Sequence, residues 1–380
     1  MTGATTVYRA DVIGSMLRPH ELADARAAHR RGELSREQLR AVEDSAVDQA
    51  LRIQEEAGVD VVTDGEMRRD IFFDFFASGL EGLVPHPGWT VRFHSVPGDD
   101  AFQVQMPFAV TEKVRPRSSP ALAEFEYARP RTRLSVKVTV PSPTLISAFW
   151  AREVSADAYP DVFDLIADVV DIVKHWIVEL AQAGCRYIQV DAPELNEVYA
   201  DPAVRQDYIE RGISPERYMK EGAAYLNEVT KVDLPGGTLL GLHVCKGNGT
   251  QSWIAQGGYE DIARDVFRYA DGFDVFLLEY DDERSGSFEP LRHLPNDKVA
   301  VLGMVSTKWT ALEDPDMLRR RVREASEYFP LDRLALATQC GFASAAEVAE
   351  QRMITEETQA QKLRLVAQTA RSLWGDGERA

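Results

Sequence analysis

The sequence predicts an α/β fold, a (β/α)8 TIM barrel built from one chain of 380 residues. Three observations point there. Eight short β-rich runs recur along the chain, most of them separated by segments with helical periodicity, as an all-parallel sheet with crossover helices requires. Polar and metal-binding residue types gather just after the ends of these runs, where barrels carry their sites. No G-x-G-x-x-G follows the first run, which argues against a doubly wound dinucleotide-binding sheet. The length exceeds the roughly 100–200 residues of a typical domain, but α/β barrels of about 250 residues or more are single units. Residues 1–380 are therefore read as one domain.

In chain order, the runs open with Val7–Ile13 (VYRADVI) and Val59–Thr63 (VDVVT). Between them, Ser35 and Gln38 form a capping box, and Leu39, Val42, Ala46, Ala50, Ile53 and Ala57 step by three and four. Gly58 ends that helix where a left-handed residue is wanted. Residues 79–133, dense in Pro, Gly and aromatics, form an insertion after the second strand that has room for a hairpin over one mouth of the barrel. The third run, Leu134–Val140 (LSVKVTV), alternates with period two and is rich in β-branched residues. A helix over Tyr159–Ala183 presents Val162, Ile166, Val169, Val173, Ile177 and Leu180 on one face and stops at Gly184. The remaining runs are Arg186–Val190, Thr238–Val244, Val275–Leu278, Val299–Leu302 and Arg333–Leu336, and a helix over Glu356–Trp374 closes the chain.

Composition narrows the function classes. With 44% hydrophobic and 27% charged residues the chain has ordinary soluble composition. No run approaches the roughly 20 apolar residues that span a bilayer, and no secretory signal opens the chain, so the cytoplasm is the expected compartment. A net charge of −18 sets the overall field against nucleic acid and anionic membranes. The basic cluster Arg319–Arg323 reads as the solvated face of a helix. Three cysteines in a chain of this kind are no disulfide framework.

Two of those cysteines carry the main signal. His243 and Cys245 lie two residues apart on an extended run, so their side chains point the same way. Cys340 follows the last run, and Glu279 follows Val275–Leu278. Two thiolates and an imidazole are a zinc-type ligand set, and Glu279 is placed to complete the shell as an exchangeable fourth ligand. Cys185, at the opposite end of a strand, reads as core. Sulfur ligands damp the Lewis acidity of zinc, which suits activating a substrate thiol for S-alkylation better than making hydroxide. Glu66 and Asp191, at two further strand ends, are candidates to hold the ammonium group of an amino-acid thiol. Ser15, in Ile13-Gly14-Ser15, is a candidate for its carboxylate. Each also has a plainer reading, as a salt bridge or a turn.

Together these residues resemble the catalytic barrel of the cobalamin-independent methionine synthases. DVIGSMLRP, RRGELSREQ, VTDGEMRRD, YIQVDAPEL, LHVCKGN, FLLEYDDERSG and TQCGF carry the resemblance over nearly the whole chain. It implies zinc on His243, Cys245, Glu279 and Cys340, homocysteine as the sulfur substrate held near Ser15, Glu66 and Asp191, and a methyl donor of the 5-methyltetrahydrofolate type. The chain also departs from the pattern. It has no room for the second barrel of the long synthases, reads Asp191-Ala192-Pro193 for Asp-Glu-Pro, and puts Ala148 where a Trp meets the pterin, with Trp150 nearby. Ser306-Thr307-Lys308 replaces the Asp-x-His that those enzymes use in catalysis. The sulfur half of the site matches and the donor half does not. The shorter relatives include epoxyalkane:coenzyme M transferases and enzymes with corrinoid methyl donors, where Lys308 would meet an anionic group or a developing alkoxide, unless it is a surface lysine. A decarboxylase-like barrel without metal, or an interaction protein, leaves the convergent ligands without purpose. A homo-oligomer remains open.

Overall fold

The strands Val61–Val62, Ser135–Pro141, Tyr187–Asp191, Leu239–Val244, Val275–Glu279, Val299–Val305 and Leu334–Thr338 form one seven-stranded sheet in that order. Every neighbouring pair is parallel. The computed structural model describes residues 6–72, 74–95, 102–117, 119–249, 252–343 and 353–375. These strands are buried from end to end on both faces apart from Ser135, which is why they read as apolar runs with little alternation.

The predicted first strand, Val7–Ile13, is reduced to a parallel bridge between Ala10 and Leu336. Its donors go elsewhere. The Ala10 N–H donates to the Asp60 carboxylate (2.9 Å) and the Val12 N–H to the side chain of Asp11 (2.7 Å), so a continuous ladder cannot propagate. The Asp11 N–H donates to Leu336 O and the Asp60 N–H to Ala10 O, both at 2.9 Å, which joins the last strand to the first and gives a TIM-like barrel. Val61–Val62 is short for a similar reason: the buried Gln54 amide takes both the N–H and the C=O of Thr63.

The helix ends follow the sequence closely. Arg36–Ala57 starts with the Ser35/Gln38 capping box and stops at Gly58, whose φ of 83° is left-handed. Val162–Gln182 begins at an Asp161 cap, and all six residues of its predicted stripe are buried. Each such aliphatic side chain contributes about 1.5–3 kcal/mol through burial. The final helix spans Glu356–Trp374, as expected. Among the described residues no α-helix links Val275–Glu279 to Val299–Val305; short 3₁₀ turns at Glu283–Ser285 and Glu289–His293 take its place.

Between the first and second barrel strands the chain leaves the sheet. Leu80–Pro85 pairs antiparallel with Phe108–Pro116, and Thr90–Ser95 pairs antiparallel with Phe102–Gln105. The end of Thr90–Ser95 crosses to the segment after the fourth barrel strand, where His94 pairs with Trp253 and Ser95 with Ser252. Cys185 is fully buried two residues before the strand Tyr187–Asp191. No helix of the described residues is long and apolar enough to cross a membrane.

Candidate active site

Two strand ends deliver the three donors. His243 is the penultimate residue of Leu239–Val244, Cys245 follows that strand, and Cys340 lies two residues beyond Leu334–Thr338. Their ligand atoms all lie within 4.8 Å of one another, and all three residues are buried. Tyr259 fixes the floor beneath them, donating to Val244 O (2.7 Å) while accepting from the Glu279 N–H (2.7 Å). Asn196 holds the Cys245 carbonyl at 2.9 Å.

The chemistry of this set fits a soft divalent ion. Zinc–sulfur bonds of about 2.3 Å and zinc–nitrogen bonds of about 2.0–2.1 Å put tetrahedral donors roughly 3.5 Å apart, within the observed spread. The Cys245 thiol is pushed well above the usual thiol range, first by its hydrogen bond with Cys340 and then by burial. Burial and the charge of Lys137 bring His243 down to about 3, leaving the neutral imidazole that a metal requires. Its Nδ1 is buried without a hydrogen-bond partner, 3.8 Å from Asp191 Oδ1.

Around this floor a pocket is lined by Ser15, Glu66, Asp191, His243, Cys245 and Cys340. Ser15 Oγ accepts from the Ala343 N–H at 3.2 Å, tying the first strand end to the Cys340 loop. Glu66 has φ 55°, the one left-handed non-glycine among the described residues, a costly conformation of the sort found at functional sites. Thr139 donates to its Oε1 at 2.9 Å, and Arg69, 3.8 Å away, is itself clamped by Glu124. Glu66 Oε2 is buried and unpartnered. Asp191 is raised to about 8, by burial and then by the charge of Glu66.

Glu279 stands apart from the set. It is not among the mutually close donors and, with Lys308, is not among the described residues that line the pocket. Lys308 is no surface lysine: it is 1% exposed and ion-paired to Glu279 and Asp281. Trp150 also misses the pocket, donating instead to Tyr159 O, whereas Ala148 lines it.

Sequence reasoning passed over two features. Glu194 and Glu197 line the pocket from the helix Pro193–Ala200. Burial raises Glu194 to about 7 against hydrogen bonds from Ser142 (2.5 Å) and Thr144 (2.6 Å), and raises Glu197 well above the carboxylate range. Their spacing of three on the helix that follows Asp191 was the available signal. The other is which residues of the insertion, expected to carry a hairpin over one mouth, wall the pocket: Trp89, Val91, Phe93, Val104 and Met106 of the antiparallel ribbon. Nothing in its composition distinguishes a pocket wall from an ordinary hairpin.

The sequence signature of the family described as "Cobalamin-independent synthase, Catalytic domain" matches residues 8–362. The chain belongs to this family. An uncharacterised Bacillus subtilis relative, YxjH, is 35% identical over 372 residues, covering 97% of this chain and 95% of that one. A methionine synthase of Saccharolobus solfataricus is 26% identical over 337 residues, with 87% of this chain and 86% of its own length covered. Among solved structures, a Listeria monocytogenes protein assigned as a vitamin-B12-independent methionine synthase superposes with a TM-score of 0.73 at 25% identity, over 98% of this chain and 100% of that one. Membership in a methionine synthase family supports a methyltransferase acting on small molecules.

Proposed function

We propose that the chain is a zinc-dependent thiol alkyltransferase, whose leading reaction is methyl transfer to the sulfur of homocysteine to give methionine. One observation carries the reading: an imidazole and two thiols from distant parts of the chain meet within 4.8 Å at the floor of a pocket. His243, Cys245 and Cys340 would hold zinc, which when bound lowers the pKa of a coordinated substrate thiol so that it is a thiolate at neutral pH.

The rest is the work of the protein's own side chains. Glu66 and Asp191 face the position where an amino-acid ammonium would sit, and Ser15 offers a hydroxyl to its carboxylate. The buried walls exclude water that would compete for the methyl group. Glu194 and Glu197, both raised by burial, line the pocket and are placed to give a proton to a leaving group. The chain acts as one catalytic domain with 79–133 inserted as a roof, in the cytoplasm.

A second reading changes the electrophile to an epoxide or a corrinoid-bound methyl. It is favoured by Ser306-Thr307-Lys308 standing where the family resemblance places a catalytic Asp-x-His. The test is metal analysis combined with a matrix of homocysteine and coenzyme M against methyltetrahydrofolate, methylcobalamin and epoxypropane. About one zinc per chain is expected, and Cys340→Ser should lose both metal and turnover. A metal-free preparation with full activity would end the zinc reading, and the donor that turns over chooses between the two reactions.

A further inference from the structure

We propose that Glu279 is not a metal ligand in this chain, because Lys308 holds its carboxylate behind the pocket wall. Zinc is then held by His243, Cys245 and Cys340 alone, with a fourth position standing open for the substrate sulfur. The inference rests on the zinc reading above and sharpens it.

Both carboxylate oxygens of Glu279 are engaged. Oε1 accepts from Lys308 Nζ at 2.9 Å, with Arg284 Nη2 at 3.5 Å, and Oε2 accepts from the Lys246 N–H at 3.1 Å. The Glu279 and Lys308 side chains are completely shielded, and Lys308 reaches Asp281 at 3.2 Å with its other contact. Lys308 and Arg284 set against Glu279 and Asp281 make a neutralised buried cluster. Moving Glu279 onto a metal would take from Lys308 its closest acceptor and leave the two cations short of one buried counter-charge, in a place water cannot reach. Pocket geometry gives the same result independently: His243, Cys245 and Cys340 all line the cavity, whereas Glu279 and Lys308 do not.

The consequence is a positioning role for Lys308. A substrate thiol has no protein carboxylate to displace, and Glu279 supports the centre through Lys246, whose N–H it accepts beside Cys245, and through Tyr259, which takes its N–H and holds Val244 O.

The test uses the full chain loaded with zinc for crystallography and with cobalt(II) for visible spectroscopy. The zinc-loaded crystal should show Glu279 still bonded to Lys308. A Glu279 oxygen at about 2.0–2.2 Å from zinc overturns the proposal. Glu279→Gln keeps an acceptor for Lys308, so the cobalt d–d bands of this variant should match those of the parent protein; displaced bands overturn the proposal. Lys308→Gln releases the carboxylate and should move those bands. If the parent protein takes up neither metal, the zinc reading itself falls and this inference falls with it. Metal uptake with Glu279 bound refutes the inference alone.

Discussion

Asp191 shows how a single buried carboxylate couples binding to pH. It is raised to about 8, so near pH 7 most of the free protein holds it protonated. An amino-acid ammonium pairs only with the ionised form, so binding must expel a proton, and binding improves as pH rises toward 8. For homocysteine, kcat/KM should climb from about pH 6 through about pH 8 and level off about one unit higher. Asp191→Asn should flatten that climb and lower kcat/KM at pH 8 roughly 10–100-fold, from the loss of a charge-assisted hydrogen bond of about 1.5–3 kcal/mol. A thiol with no amino group, such as coenzyme M, isolates the effect, since its profile should be the same in both proteins. If Asp191→Asn keeps the parent profile with homocysteine, Asp191 does not hold the ammonium. At this scale the sequence was informative where chemistry restricts residue type: the His-x-Cys pair and Cys340 were legible because few residues bind soft metals. Glu279 was legible as a strand-end acid, but its capture by Lys308 joins residues 29 positions apart and no spacing rule reveals it.

The elements that hold these residues differ in how much local sequence decides them. The helix Arg36–Ala57 declares both ends through Ser35, Gln38 and Gly58, which act within a few residues of where they stand. Val7–Ile13 has strand composition, yet the carboxylates of Asp11 and Asp60 draw off its donors, a tertiary outcome that periodicity cannot express. Gly303 is a further case, because it sits between the strands that carry Glu279 and lead to Cys340. A Cβ there would lie 2.7 Å from Gln339 Cα and 2.9 Å from the backbone oxygens of Leu278 and Thr338. Those neighbours are backbone and cannot rotate away. Gly303→Ala should therefore spread the two strands, costing about 1–3 kcal/mol in urea-unfolding free energy. It should also weaken zinc binding measured by competition with a chelator, because the Cys340 loop leaves from the strand that moves. Unchanged stability and zinc affinity would mean that the sheet absorbs a methyl group at this seam.

Across the whole molecule, the floor of the pocket belongs to the barrel and the roof to the ribbon between Leu80 and Pro116, so acceptor and donor are separable by structure. The His243, Cys245 and Cys340 donors and the proposed ammonium site at Glu66 and Asp191 lie at the end of the barrel braced by the parallel ladder. Trp89, Val91 and Phe93 reach over them from an antiparallel segment anchored on the far side by the pairing of His94 with Trp253. Trp89 also packs edge-on against Tyr208, with ring centroids 5.8 Å apart, and lies under the Arg211 guanidinium. A donor that delivers carbon to a sulfur on the floor must pass this roof, whereas a thiol lying on the floor touches it little. Removing about 55 Å² of apolar contact at about 25 cal/mol per Å² costs about 1.4 kcal/mol, a tenfold loss in affinity. Trp89→Ala should thus raise the KM for the carbon donor roughly tenfold while zinc content and the KM for the thiol stay near parent values. The measurement is a pair of saturation curves, one varying each substrate, with metal content determined on the same preparation. A rise in the thiol KM, or equal rises in both, would show that the ribbon supports the floor and does not receive the donor.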